Sequence, residues 1–274
     1  MKPSVWTSYL YGLTLEEMVE AFAGKGWRYA ELSTEHSEML LSRGKPGETG
    51  RAFRKFAGDR GMSFPQGHLE IGVDVAAVDR AGVINRLKRW LDLYLALGVK
   101  AAVIHPGGFE LEKSGMPPEK VHEARVEAFG ELARHVAGSD LFICMENVCW
   151  RNDLEGISRI IDACGTPNLG ICLDTGHLHL VAGRQGDFIR GAGARLKALH
   201  IADNDGTSDQ HLIPFARGTI KWDEVIAALR EVQYDGLFNF EIPGETLGCP
   251  MPVRMAKLEY LRALADIMLG DGRA

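Results

Sequence analysis

The stretch Lys-Ala-Leu-His-Ile-Ala-Asp-Asn-Asp-Gly-Thr-Ser-Asp-Gln-His-Leu-Ile-Pro-Phe-Ala-Arg-Gly-Thr-Ile-Lys-Trp, residues 197–222, starts as a short apolar strand, reaches His200 and passes into a polar loop. That loop carries Asp203, Asp205, Asp209 and His211 before Trp222 opens a helix. Side chains able to bind metals or move protons crowd one strand end. Taken alone the run equally fits a solvated loop, so its meaning depends on whether other strand ends repeat it. They do: residues 62–67 read as a strand ending at His68, 101–104 at His105, 141–145 at Glu146, 169–173 at Asp174 and 237–240 at Glu241.

Helical patterns lie between these strands. Residues 79–97 place Val83, Leu87, Trp90, Leu91 and Leu95 at helical spacing, and Gly98 stops the run. Further helices are expected at 51–60, 118–136, 154–164, 223–232 and 253–268. A less regular one runs through Phe188 and Ile189, and in another Leu15, Met18, Val19 and Phe22 share a face. The first two strands are expected at 5–9 and 29–32. Eight strands alternating with eight helices predict a parallel α/β fold, a (β/α)8 TIM barrel forming a single domain over residues 1–274. A doubly wound open sheet usually carries a glycine-rich phosphate turn after its first strand, and Tyr11-Gly12-Leu13-Thr14 is not one.

In such a barrel the C-terminal strand ends meet at one mouth. Side chains alternate along a strand, so turning His68, His105, Glu146, Asp174, His200 and Glu241 inward also turns Gln66, Val103, Cys144, Cys172, Ala198 and Asn239 inward, one layer deeper. Ile104, Met145, Leu173, Leu199 and Phe240 then face the helices, as apolar residues should. Singly, a strand-end histidine is more often a hydrogen-bonded structural residue, and Asp174 before Thr175 fits a helix cap. Together, three imidazoles and three carboxylates at one mouth repel or desolvate one another unless a cation sits between them. A divalent metal is the economical answer, and nitrogen and oxygen ligands without thiolate suit Zn, Mn, Co or Mg. His177, Asp209 and His211 extend the set. Arg217, Trp6, Phe109 and Trp150 fall near the same mouth, whereas His36, His122, His135 and His179 read as structural.

Composition narrows the function classes. At 274 residues and 46% hydrophobic, the chain buries a large core. A net charge of -6 gives no long-range attraction to a phosphate backbone. Five cysteines lack metal-finger spacing, and two sit inside expected strands, so reduced thiols and a cytoplasmic location are expected. The opening Met-Lys-Pro-Ser-Val-Trp lacks a signal-peptide core, and no window offers the roughly 18 apolar residues of a membrane span.

In chain order, Val-Ile-His105-Pro-Gly-Gly, Ile-Cys-Met-Glu146-Asn147, Leu-Asp174-Thr-Gly-His177, His200-Ile-Ala-Asp203-Asn-Asp and Phe-Glu241-Ile-Pro resemble the xylose-isomerase-like barrel superfamily. Sugar isomerases, sugar epimerases, inosose dehydratases and endonuclease IV belong to it. Similarity to the keto-sugar epimerase branch implies that Glu146, Asp174, His200 and Glu241 hold one metal, that Glu146 and Glu241 act as base and acid, and that His177 meets substrate oxygens. That branch tends to carry an arginine six residues after the position of His200, where this chain has Gly206. A rival resemblance is to endonuclease IV, whose nine-residue, three-zinc ligand set is matched by His68, His105, Glu146, Asp174, His177, His200, Asp209, His211 and Glu241. The acidic balance, and Phe215-Ala216-Arg217 where that enzyme's loop is glycine-rich, stand against it. The expectation is a metal-dependent isomerase or epimerase of a small keto-sugar or related polyol. A lyase or dehydratase on a similar substrate and an abasic-DNA phosphodiesterase are the alternatives. By analogy with such barrels, loop aromatics such as Trp150 leave room for pairing into a homo-oligomer.

Overall fold

Strands and helices alternate along the chain as β1 (Lys2–Trp6), α1 (Leu15–Gly24), β2 (Tyr29–Leu32), α2 (Thr34–Ser42), α3 (Pro46–Gly58), β3 (Ser63–His68), α4 (Arg80–Leu97), β4 (Ala101–Ile104), α5 (Phe109–Lys113), α6 (Pro118–His135), β5 (Phe142–Glu146), α7 (Leu154–Cys164), β6 (Leu169–Asp174), α8 (Thr175–Leu180), α9 (Gln185–Ala192), β7 (Leu196–His200), α10 (Trp222–Glu231), β8 (Leu237–Phe240) and α11 (Met251–Leu269). The computed structural model describes residues 1–270. Each strand from β1 to β6 pairs in parallel with the next in sequence, and β1 also pairs with β8. Closure between β7 and β8 runs one residue past the strand: the Ile201 N–H donates to the Asn239 carbonyl at 2.7 Å, and the Glu241 N–H donates to the Ile201 carbonyl at 3.1 Å. The result is the expected (β/α)8 barrel, which places every C-terminal strand end at one rim.

Pleating divides the residues into two cores as the alternation predicts. Ala101, Val103, Cys144, Cys172 and Ala198 pack together inside the barrel with Phe142 against them. Ile104, Met145, Leu173, Leu199 and Phe240 join the large core under the helices. The inner residues are small because eight strands leave room only for interdigitating side chains.

Local signals explain where elements begin and stop. The Thr14 hydroxyl accepts from the Glu17 N–H while the Glu17 carboxylate accepts from the Thr14 N–H, a reciprocal cap on α1. Gly98, at φ 91°, ends α4 in the left-handed conformation that glycine tolerates best. Some boundaries differ from expectation. The first strand, expected at 5–9, ends at Trp6, and Thr7–Leu10 forms a 3-10 turn whose Tyr9 hydroxyl donates to the Arg254 carbonyl at 3.1 Å. The apolar run continues there because Tyr9 and Leu10 are buried in a turn rather than a strand. The helix expected at 51–60 starts at Pro46, which occupies its first turn. Short helices α2, α5 and α8 were not expected; α2 begins at Ser33, whose hydroxyl accepts from the His36 N–H. All five cysteines are free thiols, and no helix among the described residues is long and apolar enough to cross a membrane.

Candidate metal centre

The six strand ends deliver their side chains to one place. Glu146, Asp174, His200 and Glu241, from the ends of β5, β6, β7 and β8, each offer one donor atom, and these atoms lie within 4.8 Å of one another. All four residues are buried. His200 Nδ1 is 2.9 Å from Glu146 Oε1 and 2.9 Å from Glu241 Oε2. Its Nε2 lies 3.1 Å from both carboxylate oxygens of Glu31 on β2.

Two further groups adjoin this one. His68 Nε2 and His105 Nε2 stand 3.3 Å and 3.4 Å from Glu146 Oε2. On the other side, His177 Nε2 and His211 Nε2 each lie 3.2 Å from Asp209 Oδ2. Opposite nitrogens are committed to backbone: Nδ1 of His68 donates to the Leu69 carbonyl at 2.8 Å, that of His177 to the Asn147 carbonyl at 2.9 Å and that of His211 to the Glu241 carbonyl at 2.9 Å. A carbonyl only accepts, so each Nδ1 carries a proton. Each Nε2 therefore faces a carboxylate either as a lone pair or as part of an imidazolium. Lone pair against carboxylate is repulsive without a cation between them.

Asp174 shows how the backbone serves the site. Its Oδ1 accepts from the His177 N–H at 2.7 Å, capping α8, while its Oδ2 is buried without any hydrogen-bond partner. Asn147 ties β5 to β6, accepting from the Asp174 N–H at 2.8 Å and donating to the Asp174 carbonyl at 3.0 Å.

Electrostatics follow from crowding. Burial pushes the Asp174 carboxyl up to about 6, against the pull of His177 and His211. Burial also opposes charge on Glu146 and Glu241, but His200 and its neighbouring imidazoles prevail, holding Glu146 well below the usual range and Glu241 at about 2. For His200, burial is outweighed by Cys172 and the carboxylates of Glu146, Glu241 and Glu31, and its pKa stands well above the ordinary imidazole value. The donor set fits a divalent cation on two observations: the partnerless Oδ2 of Asp174, and an all-nitrogen-and-oxygen group of four buried ligand atoms at mutual reach.

The loop of residues 203–222 divides by role. Asp203 is a knot rather than a ligand, its carboxylate accepting from the N–H groups of Asn204 (2.9 Å) and Ile220 (3.1 Å) and from Trp222 Nε1 (2.8 Å). A Cβ on Gly218 would lie 2.1 Å from that carboxylate, so glycine is required where the loop passes over it. Asp205 is exposed and binds Thr207 of its own turn. His211 adopts a left-handed backbone at φ 47°, uncommon for a residue with a Cβ.

Other expectations are placed as follows. Arg217 is exposed and makes no hydrogen bond or ion pair among the described residues. Phe109 and Trp150 pack edge to face at 5.0 Å, and Trp150 remains 58% exposed, whereas Trp6 is buried. His36 contacts Ser33 and Thr7 hydroxyls, each at 3.0 Å, His135 pairs with Asp92, and His179 contacts Thr219. Sequence reasoning missed Glu31, whose signal was one carboxylate inside an otherwise apolar strand. It also missed Cys149, whose thiol lies within ligand reach of His177 and Asp209.

A closed barrel of eight parallel strands with a buried carboxylate and imidazole group at its C-terminal mouth defines the class, the (β/α)8 barrels with a metal-type centre. Within that class the chain belongs to the xylose isomerase-like TIM barrel family, whose model matches residues 19–264. It is 31% identical over 105 residues to the D-psicose 3-epimerase of Enterocloster bolteae, covering 37% of this chain and 33% of that protein. Against the inosose isomerase of Bacillus velezensis it is 23% identical over 169 residues, 58% of this chain and 59% of that one. The chain spans about half the length of the curated relatives it matches. Among solved structures, a D-psicose 3-epimerase determined in the presence of D-fructose superposes with a TM-score of 0.81 at 19% identity, covering 98% of this chain and 100% of that one.

Proposed function

We propose that this chain is a divalent-metal-dependent isomerase or epimerase acting on a small keto-sugar or related polyol, by proton transfer through an enediolate. The observation that carries the reading is the buried group of Glu146, Asp174, His200 and Glu241, with two carboxylates flanking one imidazole nitrogen. Relatives named as a psicose epimerase and an inosose isomerase support the substrate class. Glu146, Asp174, His200 and Glu241 would hold the divalent ion, which would supply the positive charge that acidifies the C–H next to a ketose carbonyl.

The chain's own residues do the rest. Glu146 and Glu241 reach the site from β5 and β8, three strands apart around the rim, and in the metal-free chain, despite burial, His200 favours the ionised form of both, the form a proton acceptor needs. One removes the carbon-bound proton and becomes a carboxylic acid; the same one gives that proton back, or the other, after taking a proton from solvent, delivers it from its own side while the first releases its proton to solvent. Return to the opposite face gives epimerisation; return to the neighbouring carbon gives isomerisation. His68, His105, His177 and His211 line the approach and orient substrate hydroxyls, with Asp209 holding two of them. One barrel domain performs this work in the cytoplasm, in keeping with five free thiols.

Glu241→Gln keeps the shape and removes the proton carrier. It should slow deuterium exchange from solvent into a ketose by about 10²- to 10⁴-fold, and unchanged exchange overturns the reading. Two alternatives remain distinct in outcome. A lyase or dehydratase releases water in the same assay. The endonuclease IV-like reading draws on the two adjoining groups around His68 and Asp209, and it requires nicking of abasic duplex DNA above a chelated control.

A further inference from the structure

Glu31 is fully buried on β2, one residue before its C-terminal end, and among the described residues its only charged neighbour within ion-pair reach is His200. Three strands supply its surroundings. Ser4 on β1 donates its hydroxyl hydrogen to Asn239 Oδ1 at 2.8 Å, and Asn239 on β8 donates from Nδ2 to Glu31 Oε2. His200 Nε2 is 3.1 Å from Glu31. All four residues are at 0% exposure, so water does not compete for these bonds.

The direction of every bond in this row follows from one fact. An ionised carboxylate only accepts, so Asn239 must turn its amide hydrogens toward Glu31 and its oxygen toward Ser4. For the same reason His200 must carry a proton on Nε2. A neutral His200 then has its lone pair on Nδ1, the nitrogen that faces Glu146 and Glu241. We propose that the Ser4–Asn239–Glu31 row is a positioning device that locks His200 in the Nε2–H tautomer and thereby presents Nδ1 to the metal. Outer partners of this kind fix the ring and raise its basicity as a ligand. The proposal rests on the metal-dependent reading of the site and adds to it a residue outside the ligand set.

Glu31→Gln makes the sharpest test, because it puts a donor in place of one accepting oxygen without changing the shape of the row. With Asn239 still offering hydrogens, the substituted amide must turn its oxygen to Asn239 and its own hydrogens to His200. Nε2 then becomes the acceptor and Nδ1 takes the proton, blocking the ligand position. Co(II) is titrated into the metal-free full chain and its absorption followed. Glu31→Gln should weaken Co(II) binding by about 10- to 100-fold. Asn239→Ala should weaken it less, in the same direction, and covers the case in which Glu31→Gln does not fold. In a His200→Ala background either change should leave Co(II) affinity within about two-fold, a result that a merely structural role would not give.

Equal affinity of the folded variants and the wild-type chain overturns the proposal, as does a loss of equal size in the His200→Ala background. A wild-type chain that takes up no Co(II) removes the metal reading and this row together. A wild-type chain that binds Co(II) while the variants match it removes the row alone.

Discussion

Asp174 divides its two oxygens between a helix cap and the open interior of the site. Asparagine caps helices about as well as aspartate, so Asp174→Asn separates the tasks. The metal-free variant should unfold within about 0.5 kcal/mol of the parent by urea titration. Its divalent-ion affinity should fall by at least about tenfold, since removing a ligand costs no less than removing a ligand's partner. Equal affinity would leave Asp174 as a cap only. His177 and His211 give a prediction in pH. Burial opposes their charge, but for His177 the Asp174 carboxylate and the Asp209 hydrogen bond prevail and push it up to about 11. For His211 the Asp209 bond and Glu241 push it up to about 10. Both folded values exceed the unfolded imidazole value, so the folded metal-free chain binds protons that the unfolded chain releases. That stabilisation is fully present below about pH 6.5 and is lost as pH rises toward 10 to 11. The Tm of metal-free protein should therefore fall across this range, and more shallowly in Asp209→Asn; equal slopes would contradict the assignment.

At the scale of elements, the loop after β7 is held by its beginning and its end. Trp222, the first residue of α10, reaches back to Asp203 through a buried 2.8 Å hydrogen bond. Trp222→Phe removes the donor and leaves a buried carboxylate oxygen short of a partner, a cost of about 1–3 kcal/mol by denaturant titration. Because Asp209 and His211, which line the substrate approach, ride on the same loop, deuterium exchange into a ketose should slow with it. A stable variant with an intact loop would show that the knot is dispensable. Elements of this kind were only partly legible in the sequence. The strands β3 to β8 were readable because each apolar run stops at a polar residue that cannot continue into the inner core. The 3-10 turn at Thr7–Leu10 was not, since burial makes a turn as apolar as a strand. Helix α2 was hidden because nine mixed residues carry little periodicity and its start rests on a single serine cap.

Over the whole molecule, parallel closure gathers at one rim residues spread from His68 to Glu241, which explains why the candidate site was more legible than the loops around it. Strand parity alone places six of its side chains. Glu31 lay beyond that reasoning because it sits within β2 rather than at its end, and only the barrel's closure brings it to His200. Arg217, expected near the mouth, is exposed on the loop after β7. The barrel's central claim is that Glu146, Asp174, His200 and Glu241 hold one divalent ion for proton transfer. The most direct measurement titrates a divalent ion into chelated protein while following deuterium exchange from solvent into a ketose. Exchange should rise in proportion to the ion and saturate at one ion per chain; exchange that is indifferent to the ion, or that appears only after further ions are bound, would contradict the claim.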